Sequence, residues 1–292
     1  MLLITFLYEI NIINGTTNSP VDSAISYIFK ISPNKVDLMD SIVVKNGTLK
    51  LEIKDTSTKM IGIETRYKGY SFYSPILNIP IKSETLFVYE VSNDGSYNIK
   101  DYSAFVINQD SLIMIAEEIL ISTDSKNAII PKEPIKLKLP NNFSNFQYNG
   151  LPQDSVQVIG NEVIIKPFII PRVNNVVNFV YIVNKNLKLE RNFGNINYTV
   201  AIRKDLKHNV KNLTKADVQK MGNIDIQLYR GNKPPIIEAG VALKFDMFGL
   251  IDKYRYVFAG IFVLIIVLII LLLQRKKGNE VNSKENKQED QQ

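Results

Sequence analysis

Hydrophobic and polar residues alternate with a period of two along most of residues 10–247. Leu49, Leu51 and Ile53 alternate with Lys50, Glu52 and Lys54, and Leu137 and Leu139 with Lys136 and Lys138. Ile224, Ile226 and Leu228 alternate with Asp225 and Gln227, and Val241, Leu243 and Phe245 with Ala242, Lys244 and Asp246. Successive side chains of a strand point to opposite faces, so this period places one set on a core and the other in water. Turn dipeptides separate the runs. Asn46-Gly47 divides SIVVK from TLKLEI, Asp94-Gly95 follows TLFVYEV, and Gly160-Asn161 divides SVQVI from EVIIKPF. Asn and Gly tolerate the positive φ that tight hairpins require.

Short strands at such spacing predict an all-β chain of two antiparallel, Ig-like β-sandwich domains. The boundaries fall at 10–82 for the first domain and 85–247 for the second, with a further break in the pattern near 127–134. Residues 111–122 (SLIMIAEEILIS) are compatible with a helix, but their β-branched content predicts a strand. A short helix is predicted from Thr214, where TKAD offers a capping box before Val218 and Met221.

One run breaks the alternation. Residues 256–273 (YVFAGIFVLIIVLIILLL) hold eighteen positions without a charge, nearly enough for a helix to cross a hydrocarbon core of about 30 Å. A transmembrane helix is therefore predicted over 254–274, with Tyr254 and Tyr256 as an interfacial belt and Arg275, Lys276 and Lys277 on the far flank. The tail, 275–292, is polar and predicts disorder. Five Lys and Arg follow the span and three closely precede it. That bias predicts a single-pass protein of the cytoplasmic membrane, with a cytoplasmic tail and a periplasmic or extracellular body. Export needs a signal, and residues 1–9 (MLLITFLYE) read as the remnant of a signal peptide. The alternative is a tail-anchored protein with a cytosolic body.

Composition narrows the chemistry. There is no cysteine, which excludes disulfides, thiolate metal sites and thiol nucleophiles. The formal charge of +6 suits an anionic surface without demanding one.

Residues 10–80 resemble a carboxypeptidase-regulatory-like domain, a small transthyretin-like β-sandwich. The pieces are INIINGTTNSPVDSAISYIFKI, then VVKNGTLKLEI, then MIGIETRYKGYSFYSP. The hairpin departs from that family in carrying Leu49 and Leu51 where aromatic residues are usual. The remainder, with VYEV, AEEILIS, IKLKLPNNF, GLPQDSVQV and VVNFVYIV in order, resembles the second β domain of bacterial envelope proteins with a C-terminal anchor. Both resemblances imply a structural or binding module, and no functional residue carries over.

The candidate chemistry is sparse. Glu117-Glu118 is the nearest approach to a carboxylate pair, but neighbours on a strand point to opposite faces. The single histidine, His208, lies in the polar stretch KDLKHNVKN with no oriented partner in view. Arg203, Lys204, Lys207 and Lys211 belong to a basic run that could face lipid headgroups, or be a solvated face interrupted by Asp205 and Asp217. Tyr67, Tyr70, Phe72 and Tyr73 could form an aromatic platform for sugars or a partner, or fill a core by alternate rings. No motif accompanies the charge to suggest nucleic acid, and no catalytic, metal or cofactor set is expected. Five Asn-x-Ser/Thr sequons are put down to an Asn-rich composition. The expectation is a non-enzymatic envelope protein, an accessory or scaffolding module binding other envelope proteins through sheet edges and the bilayer through 254–274. The alternative is a carbohydrate- or small-ligand-binding module using the aromatic cluster.

Overall fold

A computed structural model describes residues 6–240, apart from 56, 83, 110, 111, 150 and 152. The predicted transmembrane span with Tyr254, Tyr256, Arg275, Lys276 and Lys277, the tail, and the alternating run at 241–246 lie outside the described residues. Among the described residues no helix is long and apolar enough to cross a membrane, and helical structure is confined to a 3-10 turn at Gln153–Ser155.

The first body is one sheet of nine strands: β1 (Phe6–Asn14), β2 (Ser19–Pro20), β3 (Ser23–Ser32), β4 (Lys35–Lys45), β5 (Thr48–Ile53), β6 (Met60–Tyr67), β7 (Tyr70–Tyr73), β8 (Leu77–Asn78) and β9 (Glu84–Val88). The order is β2-β1-β5-β4-β3-β6-β7, with β8 beside β6 and β9 parallel to β1. The sheet turns back on itself at β4 and β5, which share the single pair Lys45↔Thr48. Asn46 and Gly47 make that turn at φ of 52° and 69°, the double positive φ of a two-residue hairpin. A side chain at Gly47 would also lie 2.5 Å from the Pro20 ring. Ile10, Ile12, Leu49, Leu51 and Ile53 from one layer meet Ala24, Ile28, Ile61 and Ile63 from the other in a common core. This is the sandwich-like arrangement that the alternation predicted.

The second body holds β10 (Val91–Ser92), β11 (Asn98–Gln109), β12 (Leu112–Ser122), β13 (Ala128–Ile129), β14 (Ile135–Lys138), β15 (Phe143–Asn149), β16 (Val156–Ile159), β17 (Glu162–Ile165), β18 (Asn175–Asn184), β19 (Asn186–Glu190), β20 (Asn197–Arg203), β21 (Lys207–Lys211), β22 (Thr214–Met221), β23 (Ile224–Gly231) and β24 (Ile236–Gly240). A seven-stranded sheet runs β15-β18-β12-β11-β20-β23-β22, and β11 and β20 are parallel. Two three-stranded sheets, β14-β17-β16 and β19-β24-β21, share a core with it. Ile113, Ile115, Phe179 and Val200 of the large sheet meet Leu137, Val163, Leu187 and Ile237 of the small ones.

Several expectations are corrected. Residues 214–221 form β22, paired with β23 from Thr214↔Arg230 to Met221↔Ile224, so the capping box does not start a helix. Hydrogen bonds across the ladder outweigh a weak local helical preference. The first division, drawn at 82–85, cuts off β9, whose Ile10↔Glu84 to Asn14↔Val88 pairing completes the first sheet. Phe6 to Glu9, read with the signal remnant, pair with Ile53 to Lys50 as part of β1. Asp94-Gly95 does not join neighbouring strands, since β10 pairs with β13. Gly95 is needed for a close approach, because a Cβ there would stand 2.3 Å from Ile129 Cγ2.

The two cores adjoin. Ala128 lies in the first and its neighbour Ile129 in the second. Ile169 enters the second core while Phe168 and Ile170 pack against the first, and Ile129 bridges Ile169. The period of two thus serves both cores from one short segment.

Candidate functional site

β4 carries an open edge. Along one side ten of its eleven residues pair with β3, from Ser32↔Lys35 to Ser23↔Lys45. On the other side, among the described residues, Lys45 alone is paired. The backbone of residues 35–44 on that side is therefore unclaimed by a neighbouring strand, and Val36, Leu38 and Val43 are 64%, 58% and 57% exposed. Ile28 pairs Asp40 while Phe29 pairs Leu38, which leaves Met39 as a bulge. The bulge, Asp40 and the Lys35–Asp37 ion pair at 2.7 Å are devices that keep an edge from pairing indiscriminately. They leave residues 41–44 (SIVV) as the stretch able to accept an added strand, once the Ser41 N–H is released from Asp40 Oδ1, to which it donates at 2.7 Å.

The aromatic residues do not share one exposed face. Tyr67 and Phe72 belong to the first core, and Tyr70 stacks on Phe168 at 5.8 Å. Phe72 also meets Phe168 edge-on, while Tyr73 turns outward at 72% exposure. Tyr67 donates to Glu90 Oε1 at 2.9 Å, where Asn14 Nδ2 and Lys68 Nζ also donate, at 3.0 and 2.8 Å. The Lys68 ammonium, against partial burial and with Tyr67 and Asn14 assisting, holds the Glu90 carboxyl below its ordinary range.

The basic residues divide. Arg203 pairs with Asp205 at 2.7 Å and donates to the Asn108 carbonyl at 3.2 Å. Lys204 is exposed beside it. An open depression of about 710 Å³ is lined by Arg203, Lys204, Lys220, Gly222 and Asp225, among others. Lys207 begins β21 opposite Gly240, whereas Lys211 ends it and pairs with Glu238 at 3.3 Å. The four cations therefore do not form one patch. His208, two residues from Leu206, contacts its carbonyl through Nδ1 and the Tyr229 hydroxyl through Nε2.

Glu117 is buried with Arg191, 74 positions later. Arg191 Nε and Nη2 donate to the two carboxylate oxygens at 2.6 and 2.7 Å, and Tyr102 and Tyr181 each donate at 2.6 Å. Arg191 Nη1 donates to the Lys138 carbonyl at 2.7 Å. Burial opposes the guanidinium charge, but the adjacent Glu117 carboxylate outweighs it and raises the Arg191 pKa. Burial, then the Glu117 charge, pushes the Tyr102 and Tyr181 phenols well above their ordinary value. A carboxylate saturated by four donors has no lone pair left for a substrate, so this constellation ties sheets together. Among the described residues no group of His, Asp and Glu is placed to hold a metal ion.

No family model and no curated protein matches the chain. Similar solved structures include an M1 zinc metallopeptidase from Deinococcus radiodurans, 8% identical with a TM-score of 0.32 over 50% of this chain and 43% of that one. A mutant of that enzyme bound to a Tyr-Ser-Ala substrate gives 9% and 0.33, over 50% and 42%. The chain thus spans less than half the length of these enzymes. A likeness this loose supports nothing about fold or chemistry.

Sequence reasoning missed the open side of β4 and the Arg191 partner of Glu117. Arg191, in KLERNF after an alternating run, offers only a weak signal. The edge has none, since strand order is a long-range property.

Proposed function

We propose that the chain is a non-enzymatic, membrane-anchored envelope protein that docks other envelope proteins by strand addition. The open side of β4 carries this reading: unclaimed backbone over 35–44 beside exposed Val36, Leu38 and Val43. A partner strand added there would gain ladder hydrogen bonds for affinity and apolar contacts for selectivity. Support for the anchor comes from the uncharged run at 256–273, and for the first body as a carboxypeptidase-regulatory-like module from the motifs at 10–80. The aromatic, ligand-binding alternative draws on Tyr73 as its freely exposed ring.

The test is a photocrosslinking amino acid placed at Val43 or, as a control, at Val158 on β16, another exposed position, in intact cells. A discrete envelope-protein adduct is expected at Val43, removed by Ser41→Pro and absent at Val158. Equal or no crosslinking at the two positions would sink strand addition at β4.

A further inference from the structure

The connections at one end of the second body gather around the end of the described chain. β24 finishes at Gly240, which lies opposite Lys207 of β21 on one side and Asn186 of β19 on the other. Arg203 ends β20, and the β22–β23 hairpin turns through Gly222 and Asn223 beside it, as the shared lining of the depression records. Lys185, between β18 and β19, Lys204 and Lys207 therefore surround the chain exit. All three are exposed, and none has an ion pair among the described residues. Of the acidic groups at this end, Asp205 is tied to Arg203, and Asp225 stands opposite Lys220 in the hairpin register. Glu162 lies opposite Lys138 in the adjoining small sheet. Among the described residues, these three lysines are left without an ion-pair partner. The first body adjoins the other end, where β11 begins at Asn98 and β12 finishes at Ser122.

We propose that this exit rim, marked by Lys185, Lys204 and Lys207, lies against an anionic bilayer surface. The proposal rests on the membrane-anchor reading and deepens it. Thirteen residues separate Gly240 from Tyr254 in the sequence. Even fully extended they reach about 45 Å, at roughly 3.4 Å per residue. So short a tether holds the rim at an effective concentration on the order of millimolar. Weak contacts then decide its orientation. Each lysine within a Debye length of an anionic leaflet favours contact about fivefold, so the three together favour it about 100-fold at low salt.

The chain contains no cysteine, so one introduced cysteine accepts a fluorophore uniquely. The full chain is reconstituted in vesicles of phosphatidylcholine, with or without phosphatidylglycerol, that carry a headgroup-bound quencher. A probe on Asn223→Cys reports the rim, and one on Asn34→Cys the β3–β4 turn of the first body. The Asn223 probe is expected to be quenched several-fold more in the anionic vesicles. High salt, or the triple variant Lys185→Gln, Lys204→Gln, Lys207→Gln, is expected to abolish the difference, while the Asn34 probe stays unquenched. If the chain resists alkaline extraction yet Asn223 is quenched equally in both vesicles, or the triple variant behaves as wild type, the rim proposal is overturned and the anchor survives. If alkali extracts the chain, the anchor reading itself fails.

Discussion

Glu117 and Arg191 form a bidentate ion pair in the second core, at 2.6 and 2.7 Å and with side-chain exposures of 0% and 3%. Glu117 comes from the centre of the seven-stranded sheet. Arg191 follows β19 of one small sheet and reaches the Lys138 carbonyl of the other. One guanidinium therefore ties all three sheets.

Removing one partner leaves the other charge buried without compensation. Arg191→Met is expected to destabilise the protein by about 3–5 kcal/mol. The double variant Arg191→Met, Glu117→Gln removes the stranded charge and keeps an acceptor for a tyrosine hydroxyl. It should be more stable than the single variant by at least about 1 kcal/mol, measured by urea unfolding. A double variant less stable than Arg191→Met would contradict this account.

Phe72 and Tyr73 are adjacent on β7 and face opposite ways, at 3% and 72% exposure. Phe72→Ala is expected to cost about 3–5 kcal/mol, and Tyr73→Ala no more than about 0.5 kcal/mol. Chemical denaturation of the two variants checks the difference.

Gly15 lies against the Tyr89 ring, and a Cβ there would stand 2.3 Å from Cε1. Gly15→Ala should lower stability by about 1–3 kcal/mol through overpacking. Tyr89→Leu in the same chain should recover part of the loss in a thermal melt. Additive destabilisation would mean that the added methyl group meets something other than the ring.

Glu90 binds Lys68, Tyr67 and Asn14 beside the junction of the two cores. Its carboxyl is held below the ordinary range in the folded state, so it is more acidic there than in the unfolded chain, where a glutamate titrates near about 4.3. Its contribution is fully present above that value and fades as pH falls through the lower folded value. Glu90→Gln is therefore expected to lose about 1–2 kcal/mol at neutral pH. The gap from wild type should shrink as pH falls below about 4. A gap that widened in acid would reverse the assigned sign.

Much of the fold was legible because alternation and turn dipeptides are local. Leu49, Leu51 and Ile53 reach the core as their spacing predicted, and Asn46-Gly47 and Gly160-Asn161 turn hairpins. Residues 111–122 contain β12, the buried strand that their β-branched content predicted. At Thr214 a local helix signal lost to a distant ladder partner. The placing of β9 in the first sheet depends on a parallel pairing about 74 residues away, as in Ile10↔Glu84, which no short window reports. The same applies to the site: Val43 looks like any strand residue until the missing neighbour of β4 is known.

The division of Ala128 and Ile129 between two cores, repeated at Phe168, Ile169 and Ile170, has a mechanical consequence. The chain reaches from the second body into the first twice after β9 has already joined them, and each reach buries apolar side chains on both sides. Bending between the bodies would have to extract Ala128 and Phe168 from their packing, so this region is a poor hinge.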